Sequence, residues 1–185
     1  MCELFNNATV AAFFGAFFAF LLVVATDLRR RYLVRTLLTR NIASAKDLAE
    51  AKLQTVVTNI ALVREDNRIT AAPIMEFPLR AIEEQKLQVL DLLTSSQSQA
   101  LEALLYWMRA IDDLIAEGVA LAKKVKALSR VNGPDADRIS LATEYLELMG
   151  EAEKNIGYLR DLLAHYLNGR PELVLEFKHP IGDRK

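Results

Sequence analysis

Residues 8 to 25 read ATVAAFFGAFFAFLLVVA, and Thr26-Asp27-Leu28-Arg29-Arg30-Arg31 follows. Nothing in that stretch is more polar than Thr9, and no charge interrupts Leu4 to Thr26. As a helix rising about 1.5 Å per residue, it matches a hydrocarbon core about 30 Å thick. The expectation is one membrane-spanning helix over residues 8–28. Two alternatives fail on their flanks. A signal peptide carries basic residues ahead of its apolar run and a small-x-small cleavage site behind it. Here Glu3 is the only charge in MCELFNN and the arginines come afterwards. A buried helix of a soluble protein is shorter or amphipathic, whereas this one is apolar on every side.

Charge sets the expected orientation. No Lys or Arg precedes the span, while Arg29, Arg30, Arg31, Arg35, Arg40 and Lys46 follow it. By the positive-inside rule residues 1–7 lie outside and everything after the span is cytoplasmic, at the inner (plasma) membrane. Residues 27–46 hold six basic residues against Asp27, a net of +5. Arg29, Arg30, Arg31 and Arg35 are therefore candidates for lipid headgroup contact, at about 1 kcal/mol for each basic residue near the surface. Nucleic acid competes for such a patch but needs aromatic platforms or groove-reading side chains beside the cations, and Tyr32 is the only aromatic there. The whole chain carries 23 Lys and Arg against 24 Asp and Glu, so no global field draws RNA or DNA. Nucleic acid is not an expected partner. With Cys2 alone, neither an intrachain disulfide nor a cysteine metal cluster can form.

The span has two faces. Ala8, Ala11, Ala12, Gly15, Ala16 and Ala19 fall within an arc of about 140° at about 100° per residue. Val10, Phe13, Phe14, Phe17 and Phe18 occupy the rest. Ala11-x-x-x-Gly15-x-x-x-Ala19 is the small-xxx-small pattern that lets backbones approach in a bilayer, so a homo-oligomer is expected. A pore built from such helices would have an apolar wall and gate by dewetting.

Beyond the span the chain reads as helices, with one cytoplasmic core over residues 29–169. From Asp27 to Arg68 there is no Pro or Gly, and Ile42, Ala45, Ala49, Leu53, Val56, Ile60 and Val63 recur at spacings of three and four. Thr55-Val56-Val57-Thr58 lowers the intrinsic propensity of this helix, so packing must hold it. Pro73 and Pro78 bracket an apolar linker, residues 67–78, whose Ile69, Ile74, Met75 and Phe77 should tuck against the core or meet a partner. A second helix is expected from Pro78 to about Leu93, with Leu79, Ile82, the Lys86 stem, Val89, Leu90 and Leu93 inward. Ser96-x-x-Gln99 is a capping box for a third helix reaching about Ser129, with Leu101, Leu104, Leu105, Met108, Ile111, Ile115, Val119, Ala122 and Val125 on one face. Tyr106 and Trp107 read as core or groove residues. After Val131-Asn132-Gly133-Pro134, Asp135 or Asp137 can cap a fourth helix carrying Ile139, Leu146, Met149, Ile156, Leu159, Leu163 and Tyr166. Asn168-Gly169 stops it. The tail, residues 170–185, alternates Leu173, Leu175 and Phe177 imperfectly with Glu172, Val174, Glu176 and Lys178 and reads as a short strand or extended strap. The expected fold is thus all-α: a transmembrane helix continuing into a long helix of a cytoplasmic four-helix bundle, with a short extended tail.

Catalytic signatures are sparse: no Gly-rich phosphate loop, H-E-x-x-H or G-x-S-x-G occurs. Glu83-Glu84, Asp112-Asp113 and Glu151-x-Glu153 pair carboxylates on amphipathic helices, where such pairs are usually solvated, so neither a metal nor any other cofactor is expected. Arg160-Asp161-Leu162-Leu163-Ala164-His165 resembles the R-[ND]-x-x-x-H signature of HEPN domains, helical bundles that often act as ribonucleases. The resemblance implies that Arg160 would stabilise phosphate charge, His165 would move or position a proton and Asp161 would be their polar companion. Against this, Arg160 and His165 point about 140° apart on one helix. A histidine in the last turn, four residues after an aspartate, also has a sufficient stabilising role. That role is weighed above catalysis. A span joined to a HEPN-like bundle also looks like the membrane accessory proteins of RNA-targeting (type VI-B) CRISPR systems, which form oligomeric pores in antiphage defence. The sequence-level expectation is an oligomeric membrane protein that perturbs, gates or scaffolds the bilayer. The alternatives are a membrane-tethered ribonuclease and a passive tether for a cytoplasmic protein partner.

Overall fold

The structure, a computed structural model, describes residues 2–66, 69, 74–130 and 135–176, without the side chains of 2–9, 66, 129, 130, 135 and 136. Every regular element among them is helical: α1 (Cys2–Asp66), α2 (Leu79–Gln88), a 3-10 turn at Leu90–Leu92, α3 (Ser95–Arg130), α4 (Asp135–Leu167) and α5 (Pro171–Glu176).

α1 runs unbroken for 65 residues, about 100 Å at about 1.5 Å per residue. Its two parts differ in surroundings. From Val10 to Arg30 every side chain is exposed, and burial starts at Leu38. The stripe that follows is Ile42, Ala45, Ala49, Val56, Ile60 and Val63, as the three-and-four spacing requires, with Leu53 half-buried. The rest of the chain covers this stripe. Threonines along α1 satisfy their hydroxyls internally, Thr55 donating to Ala51 O at 2.9 Å and Thr58 to Gln54 O at 2.8 Å.

The most extensive packing runs from α3 to α4 and from α4 to α1; α2 packs on α1, α5 packs on α3 and α4, and α2 meets α3 less extensively. Ile82 and Val89 from the α2 segment, Leu101, Leu104, Met108 and Ile111 from α3, and Ile156, Leu159, Leu162 and Leu163 from α4 fill the interior without exposure. Phe77 brings the linker into this core, Ile69 and Ile74 pack partly on it, and Met75 is exposed. Residues 67, 68 and 70–73 of the linker lie outside the described residues, as does the breaker at 131–134.

Several local expectations are corrected. The second helix ends at Gln88, not near Leu93; a 3-10 turn with Leu92 N bonded to Val89 O takes over and turns Leu90 outward. The capping box sits two residues earlier than Ser96-x-x-Gln99. Thr94 Oγ accepts from Gln97 N at 3.2 Å while Gln97 Oε1 accepts from Thr94 N at 3.0 Å. Asp135 is already helical, and Ile139 is 67% exposed because the first turns of α4 project beyond the core.

The tail is not extended in its described part. α4 ends in a Schellman motif: Gly169 adopts φ +73°, its N–H donates to Tyr166 O, and Arg170 N donates to His165 O. Pro171 then opens α5, where its preset φ favours a first turn. Pro171 and Val174, three residues apart, face inward against α3 and α4, so a helical period overrides the apparent alternation of Leu173 and Leu175. Phe177 lies outside the described residues.

Candidate functional site

Three sets of residues singled out by sequence can now be placed. The first is the small face of α1. Ala11, Ala12, Gly15, Ala16 and Ala19 are all exposed, and a Cβ built on Gly15 meets no atom within 4 Å. Ala8 belongs to the part of α1 whose side chains are not described. Opposite this face Phe13 and Phe17 stack at 6.5 Å between ring centroids, one turn apart, and Phe18 is 65% exposed. The most apolar 18-residue window of α1 has a mean hydropathy of 2.1, and among the described residues none of it is buried. α1 is therefore one helix near the N-terminus long and apolar enough to cross a membrane. Thr26, at the lower end of the apolar run, donates its hydroxyl proton to Leu22 O at 2.7 Å and so leaves no unpaired donor there.

The second set is the arginine collar. Arg29, Arg30 and Arg35 are exposed. Arg31 is drawn sideways: its Nε lies 2.7 Å from Asp27 Oδ2, and its guanidinium also pairs with Asp91 beyond α2. Asp27, Arg30, Arg31 and Val34 from α1, with Gln88 and Asp91, line an open cleft of about 330 Å³. This cleft joins residues about sixty positions apart, so no local motif announces it.

The third set is Arg160, Asp161 and His165. Arg160 binds its own neighbour, with Nη2 3.0 Å and Nε 3.2 Å from Asp161 Oδ1, and both side chains are about half exposed. His165 is half-buried in the last turn of α4, about 7.5 Å farther along the axis and about 140° around it from Arg160. The arginine and aspartate are brought together; the arginine and histidine of one copy do not converge.

The paired carboxylates have separate partners. Glu83 binds Arg109 at 2.6 Å, Glu84 binds Arg80 at 2.8 Å, and Asp112 binds Lys52 at 2.8 Å. Among the described residues no group of three His, Cys, Asp or Glu is placed to hold a metal. Tyr106 and Trp107 meet edge to face at 5.6 Å, and Trp107 continues onto Tyr158 at 5.0 Å. Tyr106 and Trp107 wall a shallow groove between α3 and α4 that Asp113, Glu117 and Glu151 also line. Tyr106 is 64% exposed, a groove residue and not a core one.

Sequence reasoning missed the buried polar residues Lys52, Asn59 and Asn155. Lys52 and Asn59 were within reach: Lys52 follows Ala49 by three and precedes Val56 by four, and Asn59 follows Val56 by three and precedes Val63 by four. Both sit on the apolar stripe, and a polar group there requires an interior partner. Comparison with known families, curated proteins and solved structures returns no match.

Proposed function

We propose that this chain is a single-pass inner-membrane protein, N-terminus outside, whose span self-associates through its small face while a cytoplasmic four-helix bundle holds the assembly together. The homo-oligomer perturbs, gates or scaffolds the bilayer. Antiphage defence is the setting suggested by the resemblance to CRISPR membrane accessory proteins. The observation that carries the reading is α1 itself, a continuous helix whose apolar part is uncovered among the described residues and presents open space over Gly15. Lipid can cover the phenylalanine face. The alanine and glycine face instead offers the close backbone approach that favours helix association. Because α1 is unbroken from span to core, a change in packing among spans would be transmitted along one rigid rod.

The test is the mass of the detergent-extracted particle. Wild type should run as a multiple of the 20.8 kDa chain, and Gly15→Leu should shift it toward the monomer while helicity stays constant. A monomeric wild type, or a mass insensitive to Gly15→Leu, overturns the reading. Labelling of Cys2 by an impermeant maleimide in intact cells checks the orientation.

A further inference from the structure

The cleft at the foot of the span has a composition that selects its ligand. Two arginines, Arg30 and Arg31, and two aspartates, Asp27 and Asp91, line the cleft together with Gln88 and Val34. The formal charge of the lining is zero. Arg31 is committed to both aspartates, through Asp27 Oδ2 and Asp91 Oδ2. Arg30 forms no ion pair among the described residues, and one oxygen of each aspartate remains for another donor.

A ligand that satisfies this lining brings an anion for Arg30 and N–H donors for the aspartate oxygens, and adds no net charge. A phosphate carrying a primary ammonium two carbons away meets all three conditions. Phosphocholine has the right net charge but no N–H to donate. A phosphoglycerol headgroup adds an anion beside two carboxylates and supplies no cation. Position agrees with this chemistry, since Asp27 is the first charge after the apolar run, where α1 would leave the hydrocarbon and meet phosphates.

We infer that the cleft lined by Asp27, Arg30, Arg31 and Asp91 seats the headgroup of phosphatidylethanolamine, with its phosphate on Arg30 and its ammonium on the two aspartates. The inference rests on the membrane reading above. Asp91 belongs to the turn after α2 and Arg31 to the rod, so the bound headgroup joins lipid, span and cytoplasmic core at one point.

The full chain in nanodiscs of equal phosphatidylethanolamine, phosphatidylcholine and phosphatidylglycerol provides the test, with retained lipid counted by native mass spectrometry. Phosphatidylethanolamine should be enriched about tenfold over each of the others, equivalent to about 1.4 kcal/mol. Asp91→Asn keeps the Arg31 to Asp27 contact and should bring the ratio to phosphatidylcholine toward one; Arg30→Gln should lower retention of phosphatidylethanolamine. Equal retention of the three lipids, or an enrichment unchanged in Asp91→Asn, overturns the inference. Alkaline carbonate extraction of membranes separates the two levels. A chain that stays in the pellet without headgroup preference removes only this inference, whereas a chain released to the supernatant removes the membrane reading with it.

Discussion

Lys52 of α1 reaches across the interior to Asp112 of α3, its Nζ 2.8 Å from Oδ1, while Oδ2 of the same carboxylate accepts the Phe77 backbone N–H at 2.8 Å. The ammonium also lies 4.6 Å from the centre of the Phe77 ring. One carboxylate thus ties the long helix, the linker and α3 together. The lysine side chain is 1% exposed and the aspartate 12%, so the two removals are unequal. Asp112→Ala strands a buried ammonium and orphans the Phe77 N–H, at a cost of about 3–5 kcal/mol. Lys52→Met leaves a carboxylate that keeps some water and the Phe77 bond, and it should cost less by at least about 1 kcal/mol. Thermal melts followed by circular dichroism check the order. Equal losses would show that Phe77 N–H draws nothing from Asp112.

Gly118 sits where α3 crosses α4. A Cβ there runs into the Met149 methyl, with the Sδ at 3.5 Å and a Tyr145 ring carbon at 3.9 Å. The colliding atom is the far end of a flexible side chain, so Gly118→Ala sets a helix-propensity gain of about 1 kcal/mol against a displaced methyl, and the net change should stay within about 1 kcal/mol. Gly118→Leu has no such relief and should cost about 1–3 kcal/mol. Adding Met149→Ala to Gly118→Leu should recover part of that loss, a non-additivity readable in a double-mutant cycle. Strict additivity would mean that the two residues do not share this space.

These two contacts mark how far sequence reading reaches. The stripe from Ile42 to Val63 and the α3 face from Leu101 to Ile115 were legible because a single period runs through each. Lys52 was hidden by its type, although its position belongs to the stripe. The capping register was ambiguous because Thr94-x-x-Gln97 and Ser96-x-x-Gln99 both spell the box; the reciprocal bonds between Thr94 and Gln97 form the earlier one. The tail was misread because six residues are too few to separate a period of two from one of 3.6, and docking of Val174 on the core makes the choice. Spacing sets which of Ala11, Gly15 and Ala19 share a face of α1, whereas it says nothing of the Arg31 to Asp91 contact, since tertiary folding alone brings α1 to the turn after α2. Arg160 and His165 lie on one helix, α4, where a spacing of five implies a separation of about 140° around the axis.

Alkaline pH should loosen the same core. Burial pushes the Tyr145, Tyr158 and Tyr166 phenols up from their ordinary value, because a phenolate would lose its water; at Tyr166 the Arg35 guanidinium offsets part of the effect. As pH rises, tyrosines of the unfolded chain release their protons first, near pH 10 for an unperturbed phenol. The folded state then binds more protons than the unfolded one, so stability falls with increasing pH. The contribution is fully present below about pH 10 and is lost as pH climbs through the raised folded values. Melting temperature should decline above about pH 10, and Tyr145→Phe should make the decline shallower while changing little at neutral pH. Thermal melts across the alkaline range, with phenolate absorbance recorded in parallel, read both effects. A decline in Tyr145→Phe as steep as in wild type would place the titrating group elsewhere.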